Sequence, residues 1–229
     1  ELRADRGDPA RANQFEGRVE QAFVRLTPKP GFPFTMQVGK AVSPFGNYPT
    51  RAHSAADPFI RPPLNYDYRT VMSAFTVPAA ADGVFTWKDK PEFRATGRPV
   101  VWAVPYPVGV TASGTTRGVT WTAGLVNSAP SADPSDWNRV AFHGNSGPSL
   151  VAHAAWQATP ALQVGASYSG GSYLGAVVSG VTDTASVGPQ RQDLVGLEAS
   201  YLSGHVETRA EVLFDRWQVF RATGPTRDT

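Results

Sequence analysis

The chain has 229 residues, a formal net charge of +2 and no cysteine, which excludes a strongly basic nucleic-acid binder, a disulfide framework and any thiolate chemistry. Charged residues make up only 17% of it, while Gly 22 and Pro 20 are abundant, so many short strands joined by turns are expected in place of helices. No apolar run reaches the roughly 18 residues of a membrane-spanning helix, and a β-barrel is the one spanning structure that this test leaves open.

In chain order, Leu2-Arg3-Ala4-Asp5 reads as the end of a strand, and Arg6-Gly7-Asp8 receives no role. No signal-peptide succession of charged, apolar and small residues opens the chain, so a leader is expected to have been removed or to lie outside this sequence. Strands are predicted over Arg18 to Thr27 and Phe34 to Val42. A long Pro-rich and aromatic loop follows from Ser43 to Arg69. Five prolines, Pro44, Pro49, Pro58, Pro62 and Pro63, stiffen it and lower the entropy cost of holding it in one place. Its bases Arg51, His53, Arg61 and Arg69, with Lys40 at its base, are the candidate constriction residues if the loop folds inward. From Pro78 to Gly118 the prolines Pro91, Pro99, Pro105 and Pro107 interrupt any ladder, and most of this stretch reads as loop or broken strand.

The alternation is clearest further on. Val119, Trp121, Ala123 and Leu125 oppose Thr120, Thr122, Gly124 and Val126. Leu150, Ala152, Ala154 and Trp156 oppose Val151, His153, Ala155 and Gln157. After the tight connection Ala158 to Ala161, Leu162, Val164, Ala166 and Tyr168 oppose Gln163, Gly165, Ser167 and Ser169. A second hairpin sets Val195, Leu197, Ala199 and Tyr201, then Val206, Ala210, Val212 and Phe214, against Gly196, Glu198, Ser200, Glu207, Arg209, Glu211 and Asp215. A period of two with one apolar and one polar face is a strand signature. Short turns alternate with long connections such as Gly171 to Asp193, and segments of about 9 to 11 residues fit a tilted bilayer crossing. The fold expected is therefore all-β: an antiparallel transmembrane β-barrel of one domain over residues 1–229. It is expected to be incomplete because the sequence begins in what reads as the end of a strand and stops in a loop after Trp217-Gln218-Val219. Trp121, Leu150, Trp156, Leu162, Val164, Tyr168, Leu197, Tyr201, Val212 and Phe214 should face lipid. His153, Gln163, Glu198, Glu207, Arg209 and Glu211 should line the lumen.

Two stretches carry a resemblance. Val19-Glu-Gln-Ala-Phe-Val-Arg25 is followed by Met36-Gln-Val-Gly-Lys-Ala-Val-Ser-Pro-Phe-Gly-Asn-Tyr48, a Val-Gly-Lys strand end running into a Pro-Phe-Gly loop. With Arg209-Ala-Glu-Val-Leu-Phe-Asp-Arg-Trp217, this resembles the porin-like proteins related to the phosphate-selective porins of Gram-negative outer membranes. The resemblance spans roughly Gly17 to Val219. It implies a passive outer-membrane channel for small hydrophilic solutes or ions, surrounded by lipid, with a homotrimer as a candidate assembly. The lysine and arginine cluster of the phosphate-selective members has no residue-by-residue match here, and an anion preference would rest on the loop bases instead.

Other readings weigh less. His143-Gly144-Asn145-Ser146-Gly147-Pro148-Ser149 is similar to the surround of a trypsin-like serine, but the second glycine and a suitably placed upstream histidine are missing, and these residue types are what a turn requires. The histidines His53, His143, His153 and His205 lack metal-ligand spacing, and Glu198, Glu207 and Glu211 read as a solvated wall rather than an acid pair. No enzyme, cofactor, metal or nucleic-acid partner is expected. The alternatives kept open are a non-conducting structural or adhesive barrel, a soluble β-sandwich binding module and a β-rich serine hydrolase.

Overall fold

A computed structural model describes residues 19–28, 33–52, 62–73, 97–134, 136–138, 148–173 and 191–218. The described chain is all-β. Ten strands run in order: β1 (Ala22–Leu26), β2 (Phe34–Lys40), β3 (Arg69–Ser73), β4 (Gly97–Pro99), β5 (Val108–Thr116), β6 (Val119–Val126), β7 (Ser149–Gln157), β8 (Leu162–Ser172), β9 (Arg191–Ser203) and β10 (Val206–Trp217). Helix among the described residues is limited to one turn, α1 (Leu64–Asp67), and short 3-10 turns at Pro49–Arg51 and Asp136–Asn138.

Eight strands form one antiparallel sheet in the order β1-β2-β5-β6-β7-β8-β9-β10, and β3 pairs with β4 apart from it. Each strand of the large sheet lies beside its neighbour in the chain, apart from the excursion between β2 and β5. Strands β1 and β10 are its two edges, so the sheet is open and does not close into a barrel. An up-and-down order puts alternate connections at opposite ends. One end carries the short turns from β1 to β2, β5 to β6, β7 to β8 and β9 to β10; the other carries the long connections from β2 to β5, β6 to β7 and β8 to β9.

Local chemistry sets these turns. Arg117 and Gly118 form a two-residue link between the paired Thr116 and Val119, with φ of 52° and 79°. Positive φ at both positions matches the right-handed strand twist, and glycine makes the second one inexpensive. At the β7–β8 turn the Thr159 hydroxyl accepts the backbone N–H groups of Leu162 at 3.0 Å and Ala161 at 3.2 Å, as turn hydroxyls do.

The predicted strands at Val119, Ser149, Leu162, Val195 and Val206 are present. Phe34 to Val42 stops at Lys40, and the segment from Arg18 shortens to Ala22–Leu26. The stretch Pro78 to Gly118 needs correction, because β5 occupies Val108–Thr116 in the middle of the sheet. The prolines before it do not break the ladder. Pro105 and Pro107 offer only carbonyls, which accept the N–H groups of Ser43 at 2.9 Å and Ala41 at 3.2 Å, so the missing donors fall where none is needed.

The register assigns every strand residue to one of two faces. One face is apolar: Val24, Val38, Val110, Leu125, Leu150, Trp156, Leu197, Val212 and Phe214 all lie on it, and all are exposed. No second sheet covers it among the described residues. Trp121 on β6 lies over Gly114 of β5, supplying surface that the glycine lacks. The other face is polar, and the core sits there, at the long-loop end. Phe45, Tyr48, Tyr66 and Val101 from the connections pack with Val126, Val151 and Leu194 of the sheet.

Candidate functional site

The polar face carries Thr35, Gln37, Thr111, Ser113, Thr115, Thr120, Thr122 and His153 toward one side, and Gln163, Ser167, Ser169, Gln192, Glu198, Ser200, Glu211 and Asp215 toward the other. Small and hydroxylated residues follow from a face that is crossed by other segments of the same chain. Gly196 shows the fit: a Cβ there would lie 3.4 Å from Phe45 Cζ and 2.6 Å from Ser167 Oγ.

Glu198 and Glu211 stand directly opposite each other on β9 and β10. Like charges so placed repel, and each carboxylate is given its own partner. Glu198 Oε1 meets His153 Nε2 at 2.7 Å, with the glutamate side chain only 5% exposed. Gly165, opposite Glu198 on β8, leaves room for this, since a Cβ there would lie 2.9 Å from Glu198 Cγ. Glu211 Oε1 accepts the Tyr66 hydroxyl at 2.8 Å and the Asn47 N–H at 3.4 Å. Asn65 donates to the Glu211 backbone carbonyl at 3.2 Å, so α1 leans on the free edge of β10. Burial, reinforced by the Glu211 charge, raises the Tyr66 pKa above that of an ordinary tyrosine, which keeps the phenol a donor.

A second network anchors the connections nearer their own end. Gln192, wholly buried, donates to the Val100 carbonyl at 2.8 Å and to Asp215 Oδ1 at 3.2 Å, and accepts the Ser131 hydroxyl at 2.6 Å. Asp215 also accepts the Trp217 indole N–H. Arg98 on β4 donates to the carbonyls of Ser131 at 2.9 Å and Tyr173 at 2.8 Å and lies over the Tyr173 ring. Burial lowers the Arg98 pKa from its ordinary value, and it pushes the Tyr173 phenol up to about 12.

The sequence-predicted residues divide. Lys40 donates to Asn138 Oδ1 at 2.6 Å and to the Val19 carbonyl at 2.9 Å. Arg51 donates to the Asn47 carbonyl at 3.1 Å and lies within electrostatic reach of Glu211. Arg69 donates to the Gly97 carbonyl at 3.2 Å, and its guanidinium sits 4.8 Å from the Trp102 ring. These three bases are thus held by three separate sets of partners. His53 and Arg61 lie outside the described residues, as do His143 and Ser146. Gln163 is half-buried opposite Ser200 and Gln157. Glu207 and Arg209 form an ion pair with each other on the exposed part of β10. Among the described residues no three His, Asp or Glu side chains group as a metal site would require.

Beyond the core, toward the short turns, the polar face is open. A cavity of about 350 Å³ is bordered by Thr35, Ser113, Thr115, Thr120, Thr122 and His153. The arrangement can solvate and guide a hydrophilic solute. Sequence reasoning offers Tyr66 only as loop surface that packs on the wall, not as the partner of Glu211, and it does not single out Asn47, Arg98 or Gln192, whose partners are distant in the chain. No family model, curated protein or solved structure matches the chain.

Proposed function

We propose that the chain is part of the wall of an outer-membrane β-barrel of the porin type, through which small hydrophilic solutes diffuse passively. The observation that carries this reading is the inversion of the two faces. Leu197, Trp156 and Phe214 are 49%, 51% and 57% exposed, whereas Ser149, Ser169 and Gln192 are at most 1% exposed. In water such a distribution forgoes the hydrophobic stabilisation that holds folded proteins together. In a bilayer it is the required one: an apolar band toward lipid and polar residues toward a lumen. The open edges set a condition that this reading must meet. Unpaired strand edges are not tolerated in hydrocarbon, so β1 and β10 are to be joined by further strands that complete the barrel.

The long connections would then belong to the lumen, where residues 43–52 and 62–69 would narrow the path. Buried polar atoms without a protein partner, including Glu198 Oε2, Arg51 Nη1 and Ser167 Oγ, are left for enclosed water to satisfy, because each would otherwise cost about 1–3 kcal/mol. The loop bases Arg51, Arg61 and Arg69 would favour anions in a passage too narrow for full screening. The packed cluster of Phe45, Tyr48, Tyr66 and Val101 favours a second reading, a barrel plugged by its own loops. Bilayer conductance separates the two. The first predicts stepwise conductance whose reversal potential in a salt gradient shifts toward cations when Arg51, Arg61 and Arg69 are neutralised together. Insertion without conductance would select the plugged barrel, and failure to insert would reject both.

A further inference from the structure

We infer that Arg191, Arg216 and Tyr168 form a binding site for the phosphate of an anionic lipid headgroup, at the long-loop border of the apolar face. The inference rests on the membrane reading above. Along the strands of the large sheet, the charged residues on the apolar face among the described residues are Lys40, Arg191, Asp193 and Arg216. All four lie at the long-loop end. In the next step along the strands stand Tyr168, Val195 and Phe214, and beyond them Ala166, Leu197 and Val212. On β8 to β10 the face therefore changes from hydrocarbon-like to charged within one residue pair, as it should where acyl chains give way to headgroups, while Leu150, Leu125 and Val110 keep the same register row apolar on β7, β6 and β5.

The charges are arranged, not scattered. Asp193 Oδ1 accepts the Tyr168 hydroxyl at 2.8 Å and Arg191 Nε at 3.0 Å, and Arg191 Nη2 reaches the Tyr168 oxygen at 3.3 Å. Gly170 lies beneath them. A Cβ there would sit 2.7 Å from Arg191 Nη2 and 2.8 Å from Asp193 Oδ1, so the absence of a side chain at Gly170 lets the two charged groups lie close against the wall. Arg216 stands directly across from Asp193 on β10. Two guanidinium groups and one carboxylate leave one net positive charge. An exposed ion pair of this kind adds little stability, whereas guanidinium groups held in a fixed plane match the oxygens of a phosphate. A lipid phosphate is favoured over a free one because its acyl chains would lie on Phe214 and Val195, which are exposed beside the site.

The test uses the full chain in phosphatidylcholine vesicles with and without phosphatidylglycerol, followed by native mass spectrometry of the lipid retained after release into mild detergent. Each arginine near a charged headgroup is worth roughly five-fold in binding, so phosphatidylglycerol should be retained roughly 5- to 30-fold better than phosphatidylcholine. Arg191→Gln with Arg216→Gln should remove the preference. Tyr168→Phe, which changes no charge, should lower it several-fold by releasing Arg191. Glu207→Gln with Arg209→Gln on the polar face should leave it intact. If the double variant does not fold, Tyr168→Phe and Arg216→Gln alone decide. Equal retention of the two lipids by the unaltered chain, or a preference that survives Tyr168→Phe unchanged, overturns the site. Loss of the preference on adding inorganic phosphate would assign it to the free ion and reject the lipid. A chain that enters neither kind of vesicle fails the membrane reading instead.

Discussion

Replacing Leu197 by arginine distinguishes the two solvents that the apolar face can meet. Leu197 is the central residue of the 13-residue β9, half exposed, with Ala166 of β8 and Val212 of β10 directly beside it. In water the substitution adds a flexible, solvated side chain to a surface position, and such changes stay within about 0.5 kcal/mol. At the middle of a bilayer an outward arginine on a barrel strand costs about 2–4 kcal/mol, which is roughly 30- to 700-fold in the folding equilibrium. Thr208, on the same face of β10 but near the short turn, should cost about 0–1 kcal/mol as arginine, because the penalty falls toward the interface. Guanidinium unfolding in vesicles, followed by tryptophan fluorescence and compared at constant m, reads both values. A Leu197→Arg cost below about 0.5 kcal/mol, or equal costs at Leu197 and Thr208, would refute the idea that an apolar slab faces this sheet.

Three further outcomes follow from the geometry. Gly39 has φ of 132°, and a Cβ there would sit 2.7 Å from Phe23 Cα; Gly39→Val should therefore cost at least about 1–3 kcal/mol and strip hydrogen-exchange protection from β1, whereas unchanged protection of Phe23 and Val24 would contradict the pairing. A double-mutant cycle on His153→Gln and Glu198→Gln should give a coupling of about 1–3 kcal/mol, and strict additivity would show that the 2.7 Å contact is not formed. Tyr66 and Tyr173 both have folded pKa values raised above 10, Tyr173 to about 12. Folding favours the neutral phenols, so their contribution is complete below pH 10 and is lost as pH rises toward 12 and beyond. Tyrosinate absorbance should show two late-ionising groups, one of which disappears in Tyr66→Phe; normal ionisation of every tyrosine would count against their burial.

Strands β6 to β10 were legible because one face had to be apolar and the other polar, which writes a period of two into the sequence. Strand β5 was not. Val108-Gly-Val-Thr-Ala-Ser-Gly-Thr-Thr116 keeps its alternation only weakly, since Gly114 stands at an apolar-face position and Trp121 on the next strand covers it. The prolines just before it were read as breakers, although only their carbonyls are used. The candidate site was legible in part. His153, Glu198 and Glu211 could be assigned to the polar face by parity, but their partners could not. The Tyr66 and Glu211 contact spans 145 residues and the Ser131 and Gln192 contact 61. Such pairings depend on how the long connections lie over the sheet, which no local pattern specifies.

The order of the sheet also has a kinetic consequence. From β5 onward every strand pairs with the one that follows it, and the links of β5–β6 and β9–β10 are two-residue turns. Contacts of such short range close quickly and can be added one hairpin at a time. The pairing of β2 with β5 is different, since it must close the whole excursion between Lys40 and Val108, and the chain entropy of that closure is lost before any ladder bond compensates it. Strands β5 to β10 should therefore assemble first, with the β1–β2 hairpin arriving last. Until it does, β5 is the exposed growing edge, and premature pairing of that edge between two chains is the misassembly to which this topology is most open.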